Sequence, residues 1–165
     1  MKLFAEEAQL AAGFVPVNMA TGANDGDWVS MKHYRHLAII LFKGAGVAGE
    51  DPTITLEQAT AVAGTSAKAL AAITAVYIKQ GADLFAIGTF TKVTQVAAAT
   101  YTNLTLAEEQ AIIVIELNAE DLDVEGGFDC VRARVADVGN SSQIGGLLYL
   151  LSGPRYAPPL SAIID

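Results

Sequence analysis

The residues of this chain that could do chemistry fall into a few short stretches. Gly44-Ala-Gly46-Val-Ala-Gly49 has the spacing of a loop that lays a pyrophosphate on the N-terminal amides of a helix. The next residues are Glu50-Asp51-Pro52 and then Thr53-Ile-Thr-Leu56. The two acids repel a phosphate and the alternation is that of a strand, so the glycines predict an inter-strand loop. Asp121, Asp123 and Glu125, with Gly126 after them, copy the first half of a calcium loop. Such a loop takes its bidentate carboxylate from position 12, and that position here is Arg132. The expectation is an acidic, solvated turn, with a looser calcium site from Asp121, Asp123, Glu125 and Asp129 as the competing reading. His33 and His36 are three apart, which on a strand puts the rings on opposite faces and prevents them from sharing a metal. None of Ser30, Ser66, Ser141, Ser142, Ser152 and Ser161 stands in G-x-S-x-G. Cys130, next to Asp129 and among apolar residues, predicts a buried, inert thiol. These readings assign no catalytic, cofactor-binding or metal-ligating residue.

The elements that would position such residues are short strands. Residues 28–43 begin polar on alternate positions and end in the apolar run Leu37 to Phe42, as a strand entering a two-sided core would. Ile54 and Leu56 alternate with Thr53, Thr55 and Glu57, the period of 2 expected when one sheet face is buried. Further strands are expected over 72–79, 87–96, 111–117, 128–138 and 144–151. In Val131-Arg-Ala-Arg-Val135 the alternation is clean, so Arg132 and Arg134 share one face, outward or in a subunit contact. Residues 56–72 are rich in helix formers and a helix competes there, opposed by Gly64 and the Thr and Ser around it. Strands separated by Gly, Pro, Asn and Asp clusters predict an all-β fold, a jelly-roll-like sandwich or barrel.

The ends look different from this body. Residues 1–27 spread Phe4, Leu10, Phe14 and Val15 among Gly, Asn and Asp with no sustained period, and they are expected to form an extended arm ahead of a body at 28–152. Residues 153–165, stiffened by Pro154, Pro158 and Pro159, are expected to be an extended tail. Trp28, at the junction of arm and body, and Arg155-Tyr156, in the tail, are of the types that dominate interfaces. The interface candidates are thus Phe4, Leu10, Phe14, Val15, Trp28, Arg155 and Tyr156.

Composition narrows the partners. The chain has 165 residues, 10 Lys and Arg against 18 Asp and Glu, a net charge of −8, and only 17% charged residues against 52% apolar. An acidic chain is a poor ligand for phosphate backbones, so no nucleic acid is expected. No apolar stretch reaches the ~18 residues of a membrane helix, and Glu6 and Glu7 interrupt any secretory leader. A small surface so short of charge predicts cover by another subunit.

Several segments, in order, resemble small structural proteins of tailed bacteriophages and prophages. They are Gly26-Asp-Trp-Val-Ser-Met-Lys-His-Tyr34, Gly44-Ala-Gly46, Thr53-Ile-Thr-Leu-Glu-Gln-Ala-Thr60, Ala119-Glu-Asp-Leu-Asp-Val124, Gly127-Phe-Asp-Cys-Val-Arg132 and Leu148-Tyr-Leu-Leu-Ser-Gly-Pro-Arg-Tyr156. The resemblance covers residues 26–156 and brings no catalytic signature. It implies a virion component assembled in the bacterial cytoplasm, most like a head decoration or cement protein that binds the major capsid protein lattice, commonly as a homotrimer and without cofactor. A tail or head-to-tail connector subunit is the nearest alternative, and a small β-barrel enzyme or binding module is a more distant one.

Overall fold

The computed structural model describes residues 7–85, 88–105 and 107–155. Its strands in chain order are β1 (Ala8–Asn18), β2 (Asn24–Asp25), β3 (Val29–Ser30), β4 (Tyr34–Lys43), β5 (Thr53–Ala59), β6 (Lys68–Ala69), β7 (Ile73–Gln80), β8 (Thr91–Ala98), β9 (Thr100–Thr102), β10 (Ala111–Asn118), β11 (Cys130–Val135) and β12 (Ile144–Pro154). Short 3-10 turns at Met19–Thr21, Gly81–Leu84 and Ala119–Asp121 are the helical elements of the described residues.

Every pairing is antiparallel, and two sheets result. Sheet A has the order β1-β12-β4-β10-β7-β8. Sheet B has β2-β11-β5-β6, with β3 also on β11 and β9 also on β5. The first strand lies beside the last, and most connections carry the chain from one sheet to the other, as in a jelly roll. The fold is an all-β sandwich.

Alternation fills the space between the sheets. Tyr149, Ile39 and Ile115 form one cross-strand row of sheet A, and Leu151, Leu37 and Leu117 the next. Ile54 and Leu56 of β5 and Val131, Ala133 and Val135 of β11 face them, and all are buried. Tyr149 ties the layers together, because its Oη accepts the Ala133 N–H at 2.9 Å. Burial drives the phenol pKa well above its ordinary value.

Three expectations are corrected here. Residues 8–18, expected in an arm, are the edge strand of sheet A, paired with β12 from Ala8 opposite Ser152 to Asn18 opposite Ile144. Residues 24–25 join sheet B, and Met19 is fully buried. The period was hidden because the β1 register shifts between Ala12 and Phe14 and again between Phe14 and Val17, and a bulge breaks strict alternation. The two apparent breakers fit an edge strand. Pro16 needs no ladder donor there, and a Cβ on Gly13 would come within 2.5 Å of Leu147 Cδ2. Secondly, β12 runs through Pro154, so the expected tail does not begin at 153. Thirdly, the helix that competed for 56–72 is absent: β5 continues to Ala59, and the chain turns at Gly64 with φ +77°, under the Trp28 ring.

Candidate interaction surfaces

The outer faces of the two sheets are built from the same period of 2 and carry opposite chemistry. On sheet B, β5 directs Glu57 outward, β11 directs Arg132 and Arg134, and β2 brings Asp25 beside them. Arg132 Nε donates to Glu57 Oε2 at 2.6 Å, and Arg134 bonds Asp25 and reaches Glu57 Oε1 at 3.4 Å. The Asp25 hydrogen bond raises the Arg134 pKa. The Arg132 guanidinium also lies over the Trp28 ring, 4.8 Å from its centroid. Both arginines do share one face, and that face is satisfied by this chain's own groups.

On sheet A two neighbouring outward rows are apolar, bounded by His36 and Glu116, which approach to 3.9 Å, on one side and by Lys79 and Lys92 on the other. One row runs Ala12, Leu148, Ile40, Val114, Tyr77; the next holds Phe42 opposite both Ile112 and Gly146. Leu10 and Leu148 are exposed, and Phe42 is 58% exposed. A groove of about 520 Å³ opens among Phe14, Val15, Phe42, Ile144 and Leu148. The apolar run Leu37 to Phe42 is therefore two-sided in an unexpected sense. Leu37, Ile39 and Leu41 face the core, while Ile40 and Phe42 face out of the sandwich.

One end of the molecule holds a buried polar knot. Lys43 closes β4, points inward, and is only 2% exposed. Its ammonium donates to the carbonyl oxygens of Glu109 and Ala107. Desolvation pushes its pKa down to about 8, against the pull of Asp51, Glu109 and Glu108. Gln143, fully buried, donates from Nε2 to the same Ala107 oxygen at 3.2 Å, while its Oε1 has no hydrogen-bond partner among the described residues.

The other chemistry-bearing residues serve structure. Asp121 Oδ2 accepts the Asn118 N–H at 2.7 Å, Asp123 binds Lys68 and accepts the Gly126 N–H, and Cys130 is buried beside Asp129 Oδ1 at 3.1 Å. Among the described residues no three His, Cys, Asp or Glu side chains converge on a metal-sized site. His33 lies in the turn before β4, and His36 Nδ1 meets Ser152 Oγ at 3.1 Å. The 44–52 segment is a loop between strands and opens no helix.

Of the interface candidates, Leu10 and Val15 lie exposed on β1, and Phe14 is half-buried against the core. Trp28 is half-buried on the sheet B face. Arg155 is exposed, its N–H donating to His33 O at 2.9 Å, at the opposite end from Val15. Phe4 and Tyr156 lie outside the described residues. The structure thus gathers Leu10 and Val15 onto the sheet A side and leaves Trp28 and Arg155 apart from them. Sequence reasoning missed Phe42, Ile40, Ile112, Val114 and Leu148. The signal was there in the strands that are apolar at both parities.

No family model matches the chain, and no curated protein matches it. Among solved structures it is similar to a family two carbohydrate esterase from Cellvibrio japonicus, at 8% sequence identity and a TM-score of 0.25. That match covers 93% of this chain and 36% of the other, so this chain spans little more than a third of the esterase's length.

Proposed function

We propose that this chain is a virion structural protein, a head decoration or cement protein of a tailed bacteriophage, assembled in the host cytoplasm. It binds the major capsid protein lattice as a homo-oligomer, and its role is mechanical. Two independent lines support this reading: the ordered segments between residues 26 and 156 that resemble such proteins, and the sandwich itself, whose described residues leave an apolar area exposed on one sheet.

That face is the observation that carries the self-association. A fully buried Leu, Ile or Phe contributes about 1.5–3 kcal/mol, and Leu10, Phe42, Ile144 and Leu148 begin 38–58% exposed. Their burial adds up to several kcal/mol, against an association cost of about 4 kcal/mol or more. One such contact is weak by itself. Closed into a ring and seated on a lattice, several contacts must break together, which is how a cement acts.

The test is sedimentation of the purified protein, then a count of copies in purified particles. The expected result is a symmetric oligomer, a trimer in the form proposed, spread over the whole shell. A stable monomer at micromolar concentration would overturn the self-association. Copies confined to one ring at the head-to-tail junction would move the protein to a connector.

A further inference from the structure

At the end of the sandwich where β4 stops and β10 and β12 start, four connections meet, their described residues being 44–52, 81–85 with 88–90, 103–105 with 107–110, and 136–143. They are bonded to one another. Gly46 N–H donates to Ala107 O at 2.7 Å, Ala107 N–H to Asp51 Oδ1 at 3.1 Å, and Gly81 N–H to Gln110 O at 2.9 Å. Asn140 and Ser141 N–H both donate to the Glu50 carboxylate at 2.9 Å, and those bonds hold its pKa below the usual range. Lys43 and Gln143 fasten the same Ala107 carbonyl from beneath. Loops joined in this way present a fixed surface, so docking on them costs little ordering entropy.

This fixed surface holds large apolar side chains in water. Phe85 and Leu104 are each 80% exposed, and Val47 and Phe90 nearly half. The charges among the four connections are of one sign: Glu50, Asp51, Asp83, Glu108, Glu109 and Asp137, with no Lys or Arg in any of them. Two lysines flank the end on β7 and β8: half-buried Lys79 lies over the Phe90 ring and exposed Lys92 over Tyr77. The opposite end mixes its acids with Lys32, Arg35, Lys68 and Arg155.

We propose that this loop end is a docking platform for a different protein, one whose contact surface is apolar and carries a surplus of lysine and arginine. A second copy is the wrong occupant, because two such ends would bring like charges together around an apolar contact, at a cost of several kcal/mol. The inference rests on the proposed role for its setting: the loop end faces the lattice, and the sheet A face is left for sister subunits.

The test uses the full chain and matched variants. Asp83→Lys/Glu108→Lys reverses charge at the platform, Phe85→Ser/Leu104→Ser removes its apolar side chains, and Glu120→Lys/Glu125→Lys makes the same charge change at the other end. Two probes are used: hexylamine-agarose, which offers an alkyl chain with an ammonium group, and shells of the encoding phage stripped of this protein. Melting curves confirm that all variants are folded. Both platform variants are expected to leave hexylamine-agarose at lower salt than the control variant, to bind shells roughly tenfold or more weakly, and to keep the wild-type oligomer. Equal behaviour of platform and control variants on both probes overturns the inference. So does loss of the oligomer in the platform variants, which would make a second copy the occupant. If the wild-type chain ignores shells while the platform variants alone lose the resin, the virion role falls and the platform stands.

Discussion

The outer faces of sheets A and B are made by the same backbone geometry and end in opposite states. On sheet B, Arg132 and Arg134 find Glu57 and Asp25 across the strands, and Trp28 covers one guanidinium. On sheet A, Phe42, Ile40 and Leu148 stand beside Ile112, Val114 and one another, and Phe42 and Leu148 remain exposed among the described residues. A charged face can be completed within one chain because each ion pair needs only its neighbour. An apolar face gains by losing water, which a neighbouring strand of the same sheet cannot provide. Among the described residues, sheet B's ionic groups are paired within the chain and sheet A keeps apolar side chains exposed.

The most severe way to break this comparison is to remove β1 and the start of the turn after it, which give sheet A its outer Leu10 and Ala12 and the core its Ala11 and Met19. Deleting residues 1–20 is expected to abolish cooperative melting by circular dichroism. Emptying a site as buried as Met19 alone costs about 2–5 kcal/mol, and β12 would lose the partner on one of its two edges. A truncated protein that melts like the full chain would return residues 8–18 to a dispensable arm.

A double change, Phe42→Ser/Leu148→Ser, separates the two faces directly. Both side chains are solvent-exposed in the monomer, so the melting temperature of the monomer should hardly change. Association measured by sedimentation should weaken by about 100-fold, the equivalent of roughly 3 kcal/mol. An unchanged oligomer would mean that the apolar face of sheet A is not where copies meet.

The converse change belongs on sheet B. Glu57→Gln leaves Arg132 and Arg134 with Asp25 as their remaining acidic partner. It should cost about 1 kcal/mol of stability in denaturant titration, since these are partly exposed ion pairs, with the oligomer untouched. A shift in oligomeric state would show that the ionic face is also an interface.

The remaining effect is the pH dependence of Lys43, at the margin between the sheet A face and the loop end. Its folded pKa is near 8 and its ordinary value is 10.5. Between those values the unfolded chain binds more protons, so stability rises with pH through this window, by about 1–2 kcal/mol. Lys43→Met should flatten that rise in denaturant titrations at pH 7 and 9.5. Above pH 10 the slope reverses in both proteins. Tyr149, Tyr101 and Tyr34 have raised pKa values when folded, and the unfolded chain then releases protons that the folded one keeps. A wild-type curve that falls between pH 8 and 10 would contradict the burial of the ammonium.

By itself the sequence determined what depends on neighbours along the chain. Alternation in Thr53 to Glu57 and in Val131 to Val135 made strands and assigned their faces, because successive side chains of an extended backbone point to opposite sides. The acidic loops and the low charge were equally plain in the residue types. Only the tertiary structure decided what depends on distant partners. Residues 8–18 became a strand because β12 offered an unpaired edge more than a hundred positions away, and two bulges adapted an irregular sequence to it. The same distance hid the exposed apolar surfaces. Ile40 and Leu37 are alike as residue types, and which of them met a second sheet and which met water was set by where sheet B was laid down. The loop end likewise exists only because the antiparallel register returns four connections to one end of the sandwich, where hydrogen bonds can lock them side by side.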